Sequence, residues 1–186
     1  LGPHPRAVAC LNTKKFVPWV FFMIENNTDE LIAHIQRLSE MVCNAQKKNK
    51  KLKLTKHEQK QVELIAASGL FDADWYLKNN KDVLLTPSAC AAPIAHFVKK
   101  GALEGRSPNK YFHPHWYLDS YPDVVQKGVN PLVHFIKHGA KELRNPGPEF
   151  NTEYYLENNP DLAGVKDNLL HHFITFGETE GRKSQP

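Results

Sequence analysis

FDADWYLKNNKDV, Phe71–Val83, is spelled twice more along this chain, as FHPHWYLDSYPDV from Phe112 and as FNTEYYLENNPDL from Phe150. Aligning Trp75, Trp116 and Tyr154 gives spacings of 41 and 38 residues, whereas His96, His134 and His172 are spaced by 38 and 38. The extra residues of the first copy fall in LLTPSACAAP. Each copy closes on His-Phe-Val/Ile-x-x-Gly-x-x-Glu-x-Arg. Self-similarity at this period marks a stack of supersecondary units rather than one irregular domain.

The physics of one unit explains the signature. ADWYLKNN and PHWYLDSY make a helix of about two turns, with the aromatic pair and Leu77 or Leu118 near one face. Pro122 and Pro160 then end that helix, because the residue before a proline is pushed out of helical geometry. The following Pro-Asp-Val opens a second short helix. In NPLVHFIKHG, Asn130 caps, Pro131 takes the first helical position, and Leu132, Phe135 and Ile136 line one face. Gly101, Gly139 and Gly177 punctuate the closing helices. No helix is long enough to bury its face alone, so units must pack together. The fold class expected is all-α, three short-helix repeats (about 69–111, 112–149 and 150–184) preceded by one or two amphipathic helices.

Upstream, residues 1–26 mix prolines with the apolar run FVPWVFFMI, whose nine residues fall far short of a membrane span of about 20. NNTDELIAHIQRLSEMV reads as one amphipathic helix. A basic linker follows, and a second helix runs over Lys56–Ala67, stopped by Gly69. The chain has 186 residues, 41% apolar, with a net charge of +4 concentrated in the run Lys47–Lys60. That local excess reads as a solvated face and not as a nucleic-acid surface. Three cysteines, Cys10, Cys43 and Cys90, without a Cys-x-x-Cys pair, fit a reducing compartment. The Leu-Gly-Pro start reads as the scar of a fragment of something larger.

Three sets of recurring residues invite chemistry. His96, His134 and His172 precede a phenylalanine in every unit, and hydrogen bonds to a carbonyl or carboxylate beside the core are their expected role. His134 and His138 alone have metal-ligand spacing, with no further ligand in view. Arg106, Arg144 and Arg182 are expected to pair with Asp82, Asp123 and Asp161, since a guanidinium bridges a carboxylate through two bonds. The pairs Trp75/Tyr76, Trp116/Tyr117 and Tyr154/Tyr155 are candidate stacking platforms for a glycan, with core packing as the competing role. No Gly-rich phosphate loop, serine elbow or Cys-His dyad occurs. No catalytic residue, metal or cofactor is therefore expected.

The combination Phe-Asp-x-x-Trp-Tyr-Leu, Pro-Asp-Val, Asn-Pro-Leu-x-His-Phe and Gly-x-x-Glu-Gly-Arg-x-Pro resembles a repeat of large bacterial proteins. That repeat accompanies glycosyltransferases of surface-polysaccharide assembly, of rhamnan, capsule and O-antigen type. A related form occurs in secreted hemolysin-type calcium-binding proteins. The resemblance covers about residues 65–184. This chain departs from it at Lys81, where the pattern has proline, and at Leu143, where it has glycine. It implies a non-catalytic scaffold or interaction module. The implied partner is a glycosyltransferase domain or another polysaccharide-assembly protein, with a glycan as the other ligand class, in the cytoplasm or at a membrane periphery. Fold resemblance does not carry the enzyme's chemistry.

Overall fold

The computed structural model describes residues 37, 52–164 and 168–186. The segment 1–26, all but Arg37 of the helix expected over 27–42 and most of the basic linker lie outside the described residues. Within them the protein is all-α. The one β-type contact is an isolated antiparallel bridge between Gly147 and Phe150.

Helix α1, Lys56–Ser68, begins at a capping box. The Thr55 hydroxyl accepts from the Glu58 N–H at 3.2 Å, and the Glu58 carboxylate accepts from the Thr55 N–H at 2.7 Å. Two of the N–H groups a helix start leaves unpaired are thereby satisfied. The helix ends at Gly69, whose φ of 66° is left-handed and suits glycine. Ile65 on α1 is fully buried, and the helix packs against the closing helices of the first two units.

Each unit then repeats one plan. Its leading helix is α2, Ala73–Asn79, in the first unit, α6, Pro114–Ser120, in the second, and α9, Thr152–Glu157, in the third. Asp72 and Asn151 cap the first and last by accepting from the N–H of Trp75 and Tyr154 at 2.8 and 2.9 Å. In the second, Pro114 stands at the first helical position, where its missing donor costs nothing. A short middle turn follows: α3, Lys81–Leu84, then α7, Pro122–Lys127, and in the third unit a 3₁₀ turn, Pro160–Leu162. Lys81 opens its turn as Pro122 does, so the departure from proline leaves the plan intact. The surplus residues of the first unit form one further turn of helix, α4, Pro87–Cys90.

The closing helices α5, Pro93–His96, α8, Pro131–His134, and α10, Leu169–His172, each widen into a π turn, Phe97–Gly101, Phe135–Gly139 and Phe173–Gly177. The next residue donates to the phenylalanine carbonyl five positions back, at 2.9 Å in every unit. Three residues on, the chain turns back through left-handed Gly105, Leu143 and Gly181, with φ of 70°, 53° and 70°. The N–H of Arg106, Arg144 and Arg182 then bonds the carbonyl of Gly101, Gly139 and Gly177 at 2.8, 2.9 and 2.8 Å, the six-to-one bond of a Schellman end. Each unit finally returns to its own start. The N–H of Asp72, His113 and Asn151 donates to the carbonyl of Pro108, Pro146 and Ser184 at 3.0, 3.0 and 2.8 Å. Only a carbonyl is needed there, so Ser184 serves as well as proline.

Three aromatic rings fill the middle of each unit. Phe112, Tyr117 and Phe135 lie 5.4–5.9 Å apart by centroid, as do Phe150, Tyr155 and Phe173 at 5.2–5.3 Å. Phe71, Tyr76 and Phe97 make the first set. Val83, Val124 and Leu162, from the middle turns, are buried beside them. Burying one such side chain contributes about 1.5–3 kcal/mol, so the rings dominate each unit's stability.

The units also meet one another. Tyr111, in the joint between the first two, packs edge-on against Phe173 of the third at 5.1 Å and donates to Glu178 at 2.6 Å. Lys110 reaches the same carboxylate at 2.9 Å. Cys90, 8% exposed, is disulfide-bonded, which removes the argument for a reducing compartment drawn from the cysteine count.

Candidate functional site

The recurring polar residues converge on two constellations per unit. In the first, the tyrosine of the aromatic pair runs under the closing helix and its hydroxyl meets the recurring histidine. Tyr76 lies 3.1 Å from His96 Nδ1, Tyr117 lies 3.1 Å from His134 Nδ1, and Tyr155 lies 2.9 Å from His172 Nδ1. The expected partner, a carbonyl or carboxylate, is thus corrected to a phenol. The three tyrosines are 0% exposed, and burial raises their pKa above the ordinary phenol value. They are neutral donors, unsuited to act as bases. Burial likewise holds His96 and His134 below the usual imidazole value, so both are neutral near pH 7.

The same hydroxyls explain the glycines. A Cβ on Gly101 or Gly139 would sit 2.2 Å from the Tyr76 or Tyr117 hydroxyl, and on Gly177 it would sit 2.4 Å from that of Tyr155. These glycines were read as punctuation. Their backbone is helical, and what they supply is room for the tyrosine.

The second constellation surrounds the arginine. Arg106 donates through two nitrogens to both Asp82 oxygens at 2.7 Å, and its Nε donates to Glu104 at 2.6 Å. Arg144 does the same to Asp123 at 2.7 and 3.1 Å and to Glu142 at 2.6 Å. Arg182 reaches both Asp161 oxygens at 2.9–3.0 Å and Glu180 at 2.6 Å. Asn80 and Asn159 also accept from their arginines, at 2.9 and 2.8 Å. In the second unit Tyr121 replaces that asparagine, and its ring lies 4.7 Å from the Arg144 guanidinium, a cation–π contact. The guanidinium beside each aspartate pushes Asp82, Asp123 and Asp161 below the usual carboxylate range. The aspartates remain 42–65% exposed, so solvent screens these pairs. Their geometric effect is the larger one, tying the end of each unit to its middle turn.

For the aromatic pairs the structure divides the expected platforms. Tyr76, Tyr117 and Tyr155 are sealed in the core, which corrects their candidacy as ligand platforms. Trp75, Trp116 and Tyr154 are half-buried at equivalent places, with Trp116 edge-on to Tyr121 at 6.5 Å. The His134 and His138 rings lie 5.4 Å apart. Among the described residues no group of three or more His, Cys, Asp or Glu is placed to hold a metal ion. Within the basic run, Lys53, Lys56 and Lys60 are exposed.

Sequence reasoning missed the Tyr–His–Gly constellation and the π turn that carries it. A signal was present, since tyrosine, histidine and glycine travel together in all three copies, and His and Gly always stand five apart. Among the described residues no helix is long and apolar enough to cross a membrane. No family model, curated protein or solved structure matches this chain.

Proposed function

We propose that this chain is a non-catalytic helical scaffold, an interaction module serving a glycosyltransferase or another protein of bacterial surface-polysaccharide assembly. One observation carries the non-catalytic part. Each recurring residue with reactive potential is engaged inside its own unit: histidine by tyrosine, aspartate and glutamate by arginine. A group that organises its own unit in triplicate has a structural reason to recur, and a transition-state site needs groups aimed at a substrate instead. The polysaccharide context rests on the motif resemblance. Capture from lysate of a bacterium carrying the gene, scored for polysaccharide-assembly glycosyltransferases, tests it. Hydrolysis of nucleotide sugars by the purified chain, or capture without any such enzyme, would overturn it.

A second reading, carbohydrate binding, is favoured by the half-exposed Trp75, Trp116 and Tyr154 at equivalent positions. A glycan array and tryptophan fluorescence titration separate it from pure scaffolding. The disulfide at Cys90 favours an oxidising compartment over the cytoplasm, and this lends weight to the secreted relatives of the motif. Peptide mass mapping with and without reductant checks the bond.

A further inference from the structure

Between α1 and the second unit lies a cleft of about 680 Å³. Its cations come from both sides, Lys60 from α1, and Lys127 and Lys137 from the unit. Lys127 also reaches Asp123 at 3.3 Å, while Lys60 and Lys137 are exposed. The carboxylate lining the cleft, Glu142, is bound by Arg144 Nε at 2.6 Å. Leu64 and Val133 supply apolar wall.

The wall also holds two polar nitrogens without partners, His134 Nε2 and Asn130 Nδ2. His134 is only 3% exposed. Asn130 uses its oxygen to cap α8, accepting from Leu132 and Val133 at 3.1 and 3.3 Å, which leaves its amide nitrogen as a donor. For His134 the proton can be placed by its neighbour. The buried Tyr117 hydroxyl has a proton to donate, and His134 Nδ1 at 3.1 Å is the acceptor it meets. A neutral imidazole accepting at Nδ1 carries its own proton on Nε2. Both orphans are therefore donors. His96 and His172, the counterparts in the other units, are half-exposed. The second unit alone buries the far nitrogen of its histidine beside a lysine-lined cleft. Buried donors without acceptors are rare in folded proteins, and a ligand is one thing that explains them.

We propose that this cleft binds a small organic oxyanion, a phosphate monoester or a carboxylate. Its oxygens accept from His134 Nε2 and Asn130 Nδ2, and Lys60 and Lys137 balance its charge. The His138 ring, exposed and 5.4 Å from that of His134, lines the same cleft. The site is independent of the scaffold reading, because it draws on Lys60 of α1, which lies outside the repeats, and on a histidine nitrogen that the second unit alone buries without a partner.

The test titrates the whole chain with inorganic phosphate, glucose 6-phosphate and glucuronate, with glucose as the neutral control. Calorimetry reads affinity, and ¹⁵N-histidine NMR reads the imidazoles. Expected are a neutral Nε2–H tautomer for His134, saturable binding of the phosphate or the carboxylate form, and movement of that nitrogen's resonance. Whichever acid saturates identifies the source of the oxyanion. Lys60→Gln with Lys137→Gln, both at exposed positions, should weaken binding roughly tenfold with thermal unfolding unchanged. Saturation by none of the three anions, equal binding of glucose, or binding indifferent to the double substitution would overturn the proposal.

Discussion

Replacing Gly139 by alanine would set a methyl group 2.2 Å from the Tyr117 hydroxyl. Ordinary contact begins near 3.4 Å, so the phenol must retreat by about 1 Å. It has nowhere to go. Tyr117 is 0% exposed and held by Phe112, Tyr121 and Phe135 with centroids 4.8–5.9 Å away. Alanine gains about 1 kcal/mol over glycine in a helix, whereas overpacking costs about 1–3 kcal/mol. A net loss of up to about 2 kcal/mol is expected. Tyr117→Phe alone leaves His134 Nδ1 without its donor, at about 1–3 kcal/mol. Combined, the two changes interfere, since without the hydroxyl the nearest atoms to the new methyl are ring carbons at 3.1 and 3.3 Å. The double variant should therefore be more stable than the sum of the singles by about 1–2 kcal/mol. Urea unfolding followed by far-UV circular dichroism, on all four proteins, measures this coupling. Additivity within about 0.5 kcal/mol would show that the hydroxyl is not what reserves the glycine.

Gly181→Ala should cost about 1 kcal/mol, because φ there is 70° and no side chain crowds the site; no change in the urea midpoint would refute the left-handed turn. Arg144→Lys should lower the melting temperature, because an ammonium cannot grip both Asp123 oxygens, Glu142 and the Tyr121 ring together; an unchanged melt would make the constellation decorative. Stability should fall as pH drops below about 6.5, the ordinary histidine value that His96 and His134 keep when unfolded. In the fold both are held lower, so the unfolded chain binds more protons in that window and is favoured. A second loss should follow below about 3.8, where the unfolded aspartates protonate while Asp82, Asp123 and Asp161 still hold their arginines. A flat profile between pH 7 and 5 would contradict the lowered pKa of His96 and His134.

The helices were legible because their signals are local. Asn130 with Pro131, and Gly69, each declare a boundary within a residue or two. The Tyr–His–Gly constellation was not, since Tyr117 and His134 stand 17 apart in the chain and meet only after two turns have been made. Copying advertised that these residues matter without saying what they touch. Leu143 shows the other limit. Its replacement of glycine is plain in the sequence, yet its φ of 53° and its packing against the core become visible only in three dimensions.

Chain enters and leaves each unit at one place, where the N–H of Asp72, His113 or Asn151 meets the returning carbonyl. A segment with adjoining ends can be duplicated in a gene without rerouting its neighbours, which suits growth by tandem copying. The clasp of Lys110 and Tyr111 on Glu178 pulls the other way. It ties the first joint to the last unit, so a copy inserted between them would part those groups. The joined ends would accept an added copy, and the clasp would resist one placed between the second and third units.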